Sequence, residues 1–471
     1  MKYYLTADFG STFTKVCAVD AENKKIAGTA KAFTTINTDV REGYLAALEK
    51  LEAAAGKLPY SAKLACSSAG GGLRMIAAGL VPELTAKAAG MAASSAGAKV
   101  IKTYSYEISS AEQAEIYGAN PDILLLCGGT DGGNREVIIR NAKKISQIKR
   151  DFAVIYAGNK SAADEAKDIL SERGREVIVC GNVMPVFNVL NIDPAKQAIR
   201  ELFIRNIISA KGLSEIQKEM TAEIIPTPLA VMEGAALLSK GFNGEAGIGE
   251  FMAIDVGGAT TDVYTMARGE PSKSNTVIKG LPEPFEKRTV EGDLGLRYNI
   301  DSLAGSAVYE KAAEELGLSA ETILDWVDTC GKNPETISAA GTDSRKIDEY
   351  LSRHAVKIAA ARHCGTAESV YTALGETIVI TGKDLSNIPV IIGTGGPLLN
   401  SGDPVKILGG AVFDPRQPEF LKPINPKFFL DKKYIFASMG LTAGIDPETA
   451  LKIMKDEITE VSKITEVNNG K

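Results

Sequence analysis

The run Asp8-Phe9-Gly10-Ser11-Thr12-Phe13-Thr14-Lys15 places a carboxylate, a glycine and several hydroxyls between two strand-like stretches. Gly10 permits a tight turn whose backbone comes close to an anion. Successive N–H groups, with the hydroxyls of Ser11, Thr12 and Thr14, make a cradle suited to phosphate oxygens. Lys15 can neutralise charge there, although a strand residue can also point away. Asp8 suits Mg²⁺ held through water, because that ion prefers a carboxylate together with retained waters and phosphate oxygens. An ordinary hairpin with a Gly-Ser turn would show the same residues, so this segment alone does not decide.

A second run repeats the pattern far along the chain: Asp255-Val256-Gly257-Gly258-Ala259-Thr260-Thr261-Asp262-Val263. It too follows a strand-like stretch and precedes another, and Gly257, Gly258 and Thr260 take the positions that would hold phosphate. Asp8 and Asp255 are then paired candidates for organising Mg²⁺ and for orienting an attacking water. A third run, Val390-Ile391-Ile392-Gly393-Thr394-Gly395-Gly396-Pro397-Leu398-Leu399, is a strand, a glycine-rich turn and a helix start. Gly393, Gly395 and Gly396 would let a flat base and ribose lie against backbone.

In this order the runs resemble the phosphate 1, phosphate 2 and adenosine motifs of the actin-like ATPase superfamily. The second is close to the DnaK-type form. Ile225-Pro226-Thr227-Pro228-Leu229-Ala230 is similar to the first connecting motif, Glu-Pro-Thr-Ala-Ala-Ala, and Leu408-Gly409-Gly410-Ala411 stands where the second connector belongs. Ile225 occupies the place of the chaperone Glu, so water or metal placement must come from elsewhere or hydrolysis is slow. Asp131 and Glu233 are the candidates. The resemblance implies ATP with Mg²⁺ between two lobes whose motion acts on a partner.

A closer resemblance covers nearly the whole chain. Ala7–Lys15, the run Ser67 to Met75, Leu124–Asn134 with Gly128-Gly129-Thr130-Asp131-Gly132-Gly133, Asp255–Val263, Val290–Arg297, Arg362–Thr366 and Asp431–Leu441 resemble the MutL/GlmL family of glutamate mutase accessory proteins, which is unrelated to the mismatch-repair MutL. That family implies a chaperone-like ATPase that reactivates or protects an adenosylcobalamin-dependent mutase. A small-molecule kinase or a filament-forming actin-like protein would use the same motifs. No sugar-kinase signature for a substrate carboxylate is present.

The elements that position these runs follow from periodicity. Tyr3–Ala7, Lys15–Val19 and Lys25–Phe33 form an antiparallel start, followed by an amphipathic helix over Thr38–Ala55. From Ala98, strand-like runs at Lys99–Thr103, Ile123–Cys127, Phe152–Ala157 and Glu176–Val179 alternate with helical ones, the pattern of a parallel sheet. The expected fold is α/β: an actin-like ATPase of two ribonuclease-H-like lobes with an inserted α/β module in the first. Lobe I takes 1–97 and 186–240, the module 98–185, lobe II 241–408, and 409–471 returns to lobe I.

The length of 471 residues requires more than one core, and the net charge of −6 leaves no general attraction to nucleic acid or an anionic membrane. The N-terminus lacks the apolar run of a signal peptide, and no run is long enough to span a bilayer. Six cysteines stand singly, which fits a reduced cytoplasm. With only His354 and His363, neither a His-rich metal site nor a Ser-His-Asp triad is expected. Neither histidine lies in the Asp-x-His-x-x-Gly arrangement that resembles cobalamin ligation, so the chain is not expected to ligate cobalt. Glu291-Gly292-Asp293 with Arg297 is either a polar cluster near the site or a surface ion pair of little worth.

Overall fold

The computed structural model describes residues 2–10, 12–35, 38–68, 74–207, 212–303, 305–372 and 375–461. The chain divides into two compact units, one of residues up to 233 with 440–442, the other of 234–439 with the remainder.

The strands of the first unit are β1 (Tyr3–Phe9), β2 (Phe13–Asp20), β3 (Lys25–Phe33), β4 (Tyr60–Ser67), β5 (Arg74–Gly79), β6 (Lys99–Ser105), β7 (Ile123–Leu126), β8 (Ala153–Tyr156), β9 (Val177–Val179) and β10 (Ile225–Pro226). One sheet has the order β10-β4-β1-β2-β3. β1 runs antiparallel to β2 and parallel to β4. Every residue of β1 is buried, as a central strand covered on both faces requires. The helix Val40–Ala55 packs on this sheet through Val40, Tyr44, Ala47 and Leu51, one face at helical spacing. Asp39 accepts from the Arg41 N–H to cap its start.

A second sheet, β6-β5-β7-β8-β9, is parallel throughout. Its strands β6 to β9 lie within the segment 98–185 expected as an inserted α/β module, and β5 precedes that segment. Arg74–Gly79 is an inner strand, flanked by β6 and β7. Its run Met75-Ile76-Ala77-Ala78 is short and half alanine, a weak strand pattern that becomes legible only through its pairing. Of the run from Ser67 to Met75, residues 69–73 lie outside the described residues.

The second unit contains β11 (Gly241–Phe242), β12 (Glu245–Ala246), β13 (Phe251–Val256), β14 (Thr261–Met266), β15 (Thr276–Lys279), β16 (Glu286–Glu291), β17 (Thr366–Thr372), β18 (Gly375–Thr381), β19 (Val390–Thr394), β20 (Lys427–Asp431) and β21 (Ile458–Glu460). Its main sheet has the order β16-β14-β13-β19-β20-β21. β13 is antiparallel to β14 and parallel to β19, and β19 is parallel to β20. This repeats the first sheet strand for strand: third, second, first, fourth, fifth. That is the ribonuclease-H-like order, present twice, and the fold is the α/β fold of the actin-like ATPase superfamily. Of the segment 409–471, residues 440–442 group with the first unit, while its strands belong to the second sheet. β20 pairs in parallel with β19, and β21 adds antiparallel to β20.

The helix Asp343–His363 lies over this sheet and buries Ile347, Leu351, Ala355, Val356 and Ala359 in a core with Ile254, Val256 and Val263. Among the described residues, no helix is long and apolar enough to cross a membrane.

Candidate functional site

In the first unit the turn between β1 and β2 is closed by Gly10 N–H donating to the Phe13 carbonyl at 3.1 Å. A side chain on Gly10 would begin 2.7 Å from that carbonyl oxygen, so the position has room for glycine alone. Ser11 lies outside the described residues. Asp8 and Lys15 face each other across the antiparallel pair, which puts them on one face of the sheet. Lys15 Nζ sits 3.8 Å from the carboxylate, and Asp8 is buried. Thr14 falls on the opposite face by the period-two alternation of a strand. It is fully buried, and its hydroxyl bonds to that of Thr34. Thr12 stays at the turn, where its carbonyl accepts from the Thr34 N–H.

Asp8 has partners that residue spacing did not assign. The Thr227 hydroxyl donates to its Oδ1 at 2.7 Å, and Cys66 Sγ lies 3.5 Å from the same oxygen. Burial, with the Asp8 charge beside it, pushes the Cys66 thiol well up, so it remains protonated. Thr227 belongs to the connecting motif, whose match was the signal that could have found it. Ile225 is buried, and its strand pairs with Cys66 and Ser67. No carboxylate stands at that position.

The turn after β13 is built more elaborately. Gly257 N–H closes it on the Thr260 carbonyl at 2.9 Å. The stretch from Glu291 to Asn299 then straps across its back. Leu296 N–H donates to Gly257 O, Arg297 and Tyr298 N–H to Gly258 O, and Asn299 Nδ2 to Ala259 O. In a planar trans peptide the carbonyl and the following N–H point opposite ways. With the carbonyls of 257, 258 and 259 turned to the strap, the N–H groups of 258, 259 and 260 project from the other side. Such a run of N–H groups is an anion-binding concavity. Gly295 allows the strap this close, since a side chain there would begin 2.4 Å from Ala259 backbone.

Asp255 lies directly opposite Asp262 across the strand pair. Like charges so placed repel, and the buried Arg288 answers Asp262 through Nη2 at 2.6 Å and Nε at 3.0 Å. Thr260 Oγ1 donates to the other Asp262 oxygen at 2.8 Å. Tyr434, in the left-handed region at φ 58°, brings its hydroxyl 3.5 Å from Asp255 Oδ1. A bulky residue at positive φ is uncommon and is found where surroundings enforce it; Tyr434 lies in the family-like segment Asp431–Leu441, which carried no role for it. Arg362 joins the strap's start, bonding Glu291 at 2.6 Å and both oxygens of Asp293 at 2.8 Å. Burial raises Glu291 above its usual range, while the Arg362 hydrogen bond lowers Asp293.

The three glycines after β19 separate in role. Gly393 is packed: a side chain there would meet the methyls of Leu408 at 3.0 Å and Leu398 at 3.1 Å, so it faces core and not a base. Gly395, at φ 107°, abuts the Val256 backbone, linking this turn to the Asp255 strand. Gly396 is open on the side where a side chain would stand and begins the helix Gly396–Leu399.

Asp131 belongs to a different assembly. Its Oδ1 accepts from Lys160 N–H and Asn182 Nδ2, and Asn159 clamps the same glycine loop through Gly132, Gly133 and Asn134. This is the carboxyl edge of the parallel module. Glu233 pairs loosely with Arg200 at 3.9 Å and is half-buried. His363 is buried between the Thr265 and Thr289 hydroxyls and makes no pair with Cys364. Among the described residues no three His, Cys, Asp or Glu side chains gather as a metal cage. Asp8 and Asp255 each stand at the base of one turn.

A family model described as MutL protein matches residues 4–458. Protein MutL of Clostridium tetanomorphum is 44% identical over 465 residues, covering 98% of this chain and all of that one. Among solved structures, a ligand-bound xylulose kinase from Lactobacillus acidophilus matches 98% of this chain and 93% of its own at 12% identity and TM-score 0.35. A diol dehydratase-reactivating factor in nucleotide-free form matches 94% and 99% at 10% identity and TM-score 0.37. At these TM-scores the two likenesses carry no argument about this chain.

Proposed function

The chain belongs to the MutL protein family, and from that premise we propose that it is a chaperone-like accessory protein that binds and hydrolyses ATP to reactivate or protect an adenosylcobalamin-dependent mutase, glutamate (methylaspartate) mutase or a relative. One observation carries the nucleotide part. The same strand–Asp–tight turn–strand unit stands on the first strand of two sheets with the same strand order. Duplication of a phosphate-type turn with a carboxylate at its base supports a phosphate-bearing ligand.

In this reading the N–H groups of 258–260 and the Thr12 hydroxyl receive phosphate oxygens, Thr260 taking part through its N–H because its hydroxyl donates to Asp262. Gly395 and Gly396 lie along the adenosine. Asp8 and Asp255 would hold Mg²⁺ through water, and the ion would neutralise phosphate charge. Thr227 and Lys15 fix the Asp8 carboxylate. Tyr434 and the Arg288-neutralised Asp262 set the field around Asp255. No disulfide joins any of the six cysteines, which fits a cytoplasmic setting.

Calorimetric titration of Mg-ATP into the chain and into Asp8→Ala and Asp255→Ala tests the assignment. Loss of Mg-dependent binding in both variants is expected. Unchanged binding in both would sink it. For the partner, recovery of activity by an inactivated mutase on adding the chain and ATP is the matching measurement.

A further inference from the structure

Gly258, in the turn after β13, has its carbonyl held at 2.9 Å by the N–H of Arg297. Arg297 Cβ and Cγ lie 3.6 and 3.7 Å from where a Gly258 side chain would begin, so the arginine stem covers the turn. The guanidinium is tied down in turn. It donates to the Leu296 carbonyl at 2.6 Å, to the Thr336 carbonyl at 3.0 Å, and to both oxygens of Asp348 at 3.1 and 2.8 Å. Asp348 is 7% exposed and also accepts from the Ser338 hydroxyl at 2.7 Å and the Trp326 indole N–H at 2.9 Å. A bidentate arginine–carboxylate pair fixes orientation as well as distance, which lysine cannot reproduce.

The strap is tied at its other end too. Asp348 and Arg362 both belong to the helix Asp343–His363, and Arg362 holds Glu291 and Asp293. The strap is therefore anchored to one helix at two points, through Arg362 at Glu291 and Asp293 and through Asp348 at Arg297, and the N–H groups of 296–298 beside the second anchor grip the turn. A change in the turn cannot be absorbed by the strap alone; it meets the Arg297–Asp348 pair.

We propose that Arg297 is a positioning residue of the nucleotide site, holding the turn Gly257–Thr260 in the form that presents its N–H groups to phosphate, with Asp348 as its anchor. This rests on the nucleotide reading above. Arg297 contacts no reacting atom in this role, so it acts on nucleotide affinity. Trp326, the only tryptophan of the chain, shares the Asp348 carboxylate and reports the state of that anchor.

The test uses the full chain, with Trp326 emission and calorimetry followed during titration with Mg-ATP, and the variants Arg297→Lys and Asp348→Asn. Emission of the unaltered chain should change with the midpoint that calorimetry gives. Each variant should keep its circular dichroism, bind Mg-ATP about tenfold more weakly, as loss of a charged hydrogen bond implies, and lose the emission response. Its KM should rise while kcat holds. A folded variant with unaltered affinity and response would overturn the proposal. If neither variant folds, the unaltered chain decides: an emission change at the calorimetric midpoint supports the proposal and a flat emission overturns it. Absence of any Mg-ATP binding by the unaltered chain would overturn the nucleotide reading itself, and this inference with it.

Discussion

The Thr227 hydroxyl donates to Asp8 Oδ1 across 2.7 Å, joining residues 219 positions apart in sequence. Thr227 starts the helix that follows β10, and Asp8 sits near the end of β1 in the same sheet. A hydrogen bond to a charged group contributes about 1.5–3 kcal/mol. Thr227→Val keeps the shape and removes the donor, so the Asp8 carboxylate is left with weaker support. The variant should lose about tenfold in Mg-ATP affinity, and Thr227→Ser should restore it. Calorimetry on the pair is decisive, and equal affinities for valine and serine would show that the bond does not order Asp8.

Hydrolysis without the partner is expected to be slow. Ile225 is buried where the chaperones carry a Glu, and neither Asp131 nor Glu233 supplies that carboxylate near β10 in a freely aimed form. Loss of one group that places the reacting water typically costs about 10²-fold. Phosphate release by the purified chain should therefore fall well below ~10 s⁻¹, the middle of the enzyme range. A faster basal rate would mean that another residue places the water.

His363 makes stability depend on pH. It is fully buried between Thr265 and Thr289, with Lys287 donating to its carbonyl. Burial, then the nearby Lys287 and Lys383 charges, depresses its pKa well below the usual 6.5. The unfolded chain takes up a proton near that value and the folded chain does not. The stability the neutral ring contributes is thus complete above the unfolded pKa and is lost as pH falls toward the folded one, at about 1.4 kcal/mol per pH unit for one proton. Urea unfolding at about pH 7.5 and about pH 5.5 should show this slope, and His363→Gln should flatten it. A slope unchanged in the variant would assign the proton elsewhere.

The two Asp-x-Gly turns were legible because each is a local feature: Asp, glycines and hydroxyls within a few residues, between strands. Lys15 beside Asp8 and Asp262 beside Asp255 follow from the same local register. What escaped depends on pairing between distant segments. Arg74–Gly79 gave little strand signal because two of its residues are alanine, and its place inside the parallel sheet comes from β6 and β7. The buried Thr14–Thr34 bond depends on strand alternation, which a count of hydroxyls does not reveal. The leucine methyls against Gly393 are hidden likewise, because a glycine that admits them looks, in sequence, the same as one that admits a ligand. Tyr434 touches Asp255 through a backbone conformation that no residue pattern announces.

The parallel module carries the last prediction. It buries its own core, with Ile76, Leu124, Leu126, Val154 and Tyr156 among its members, and holds neither of the duplicated turns. A module with its own core can be joined to a lobe without remaking it, and function that distinguishes proteins of one fold is commonly grafted on such parts. At its carboxyl edge the Asp131 N–H holds the Pro185 carbonyl, and beyond it Val186, Phe187 and Val189 stand 60%, 65% and 51% exposed around Asn188 at φ 61°. Apolar side chains gathered on an exposed tip are a usual mark of a protein contact. A chain in which 74–191 is replaced by a short Gly/Ser linker is expected to bind Mg-ATP and to fail in restoring an inactivated mutase. Because residues of this segment also pack on the rest of the first unit, with Gly97 close to Pro226 and Leu229, the milder Phe187→Ser, Val189→Ser double variant should reproduce the split: ATP binding intact, reactivation reduced. Full reactivation by the double variant would remove the tip from the contact. Loss of ATP binding in a folded linker variant would place the Gly128–Gly133 loop in the nucleotide site.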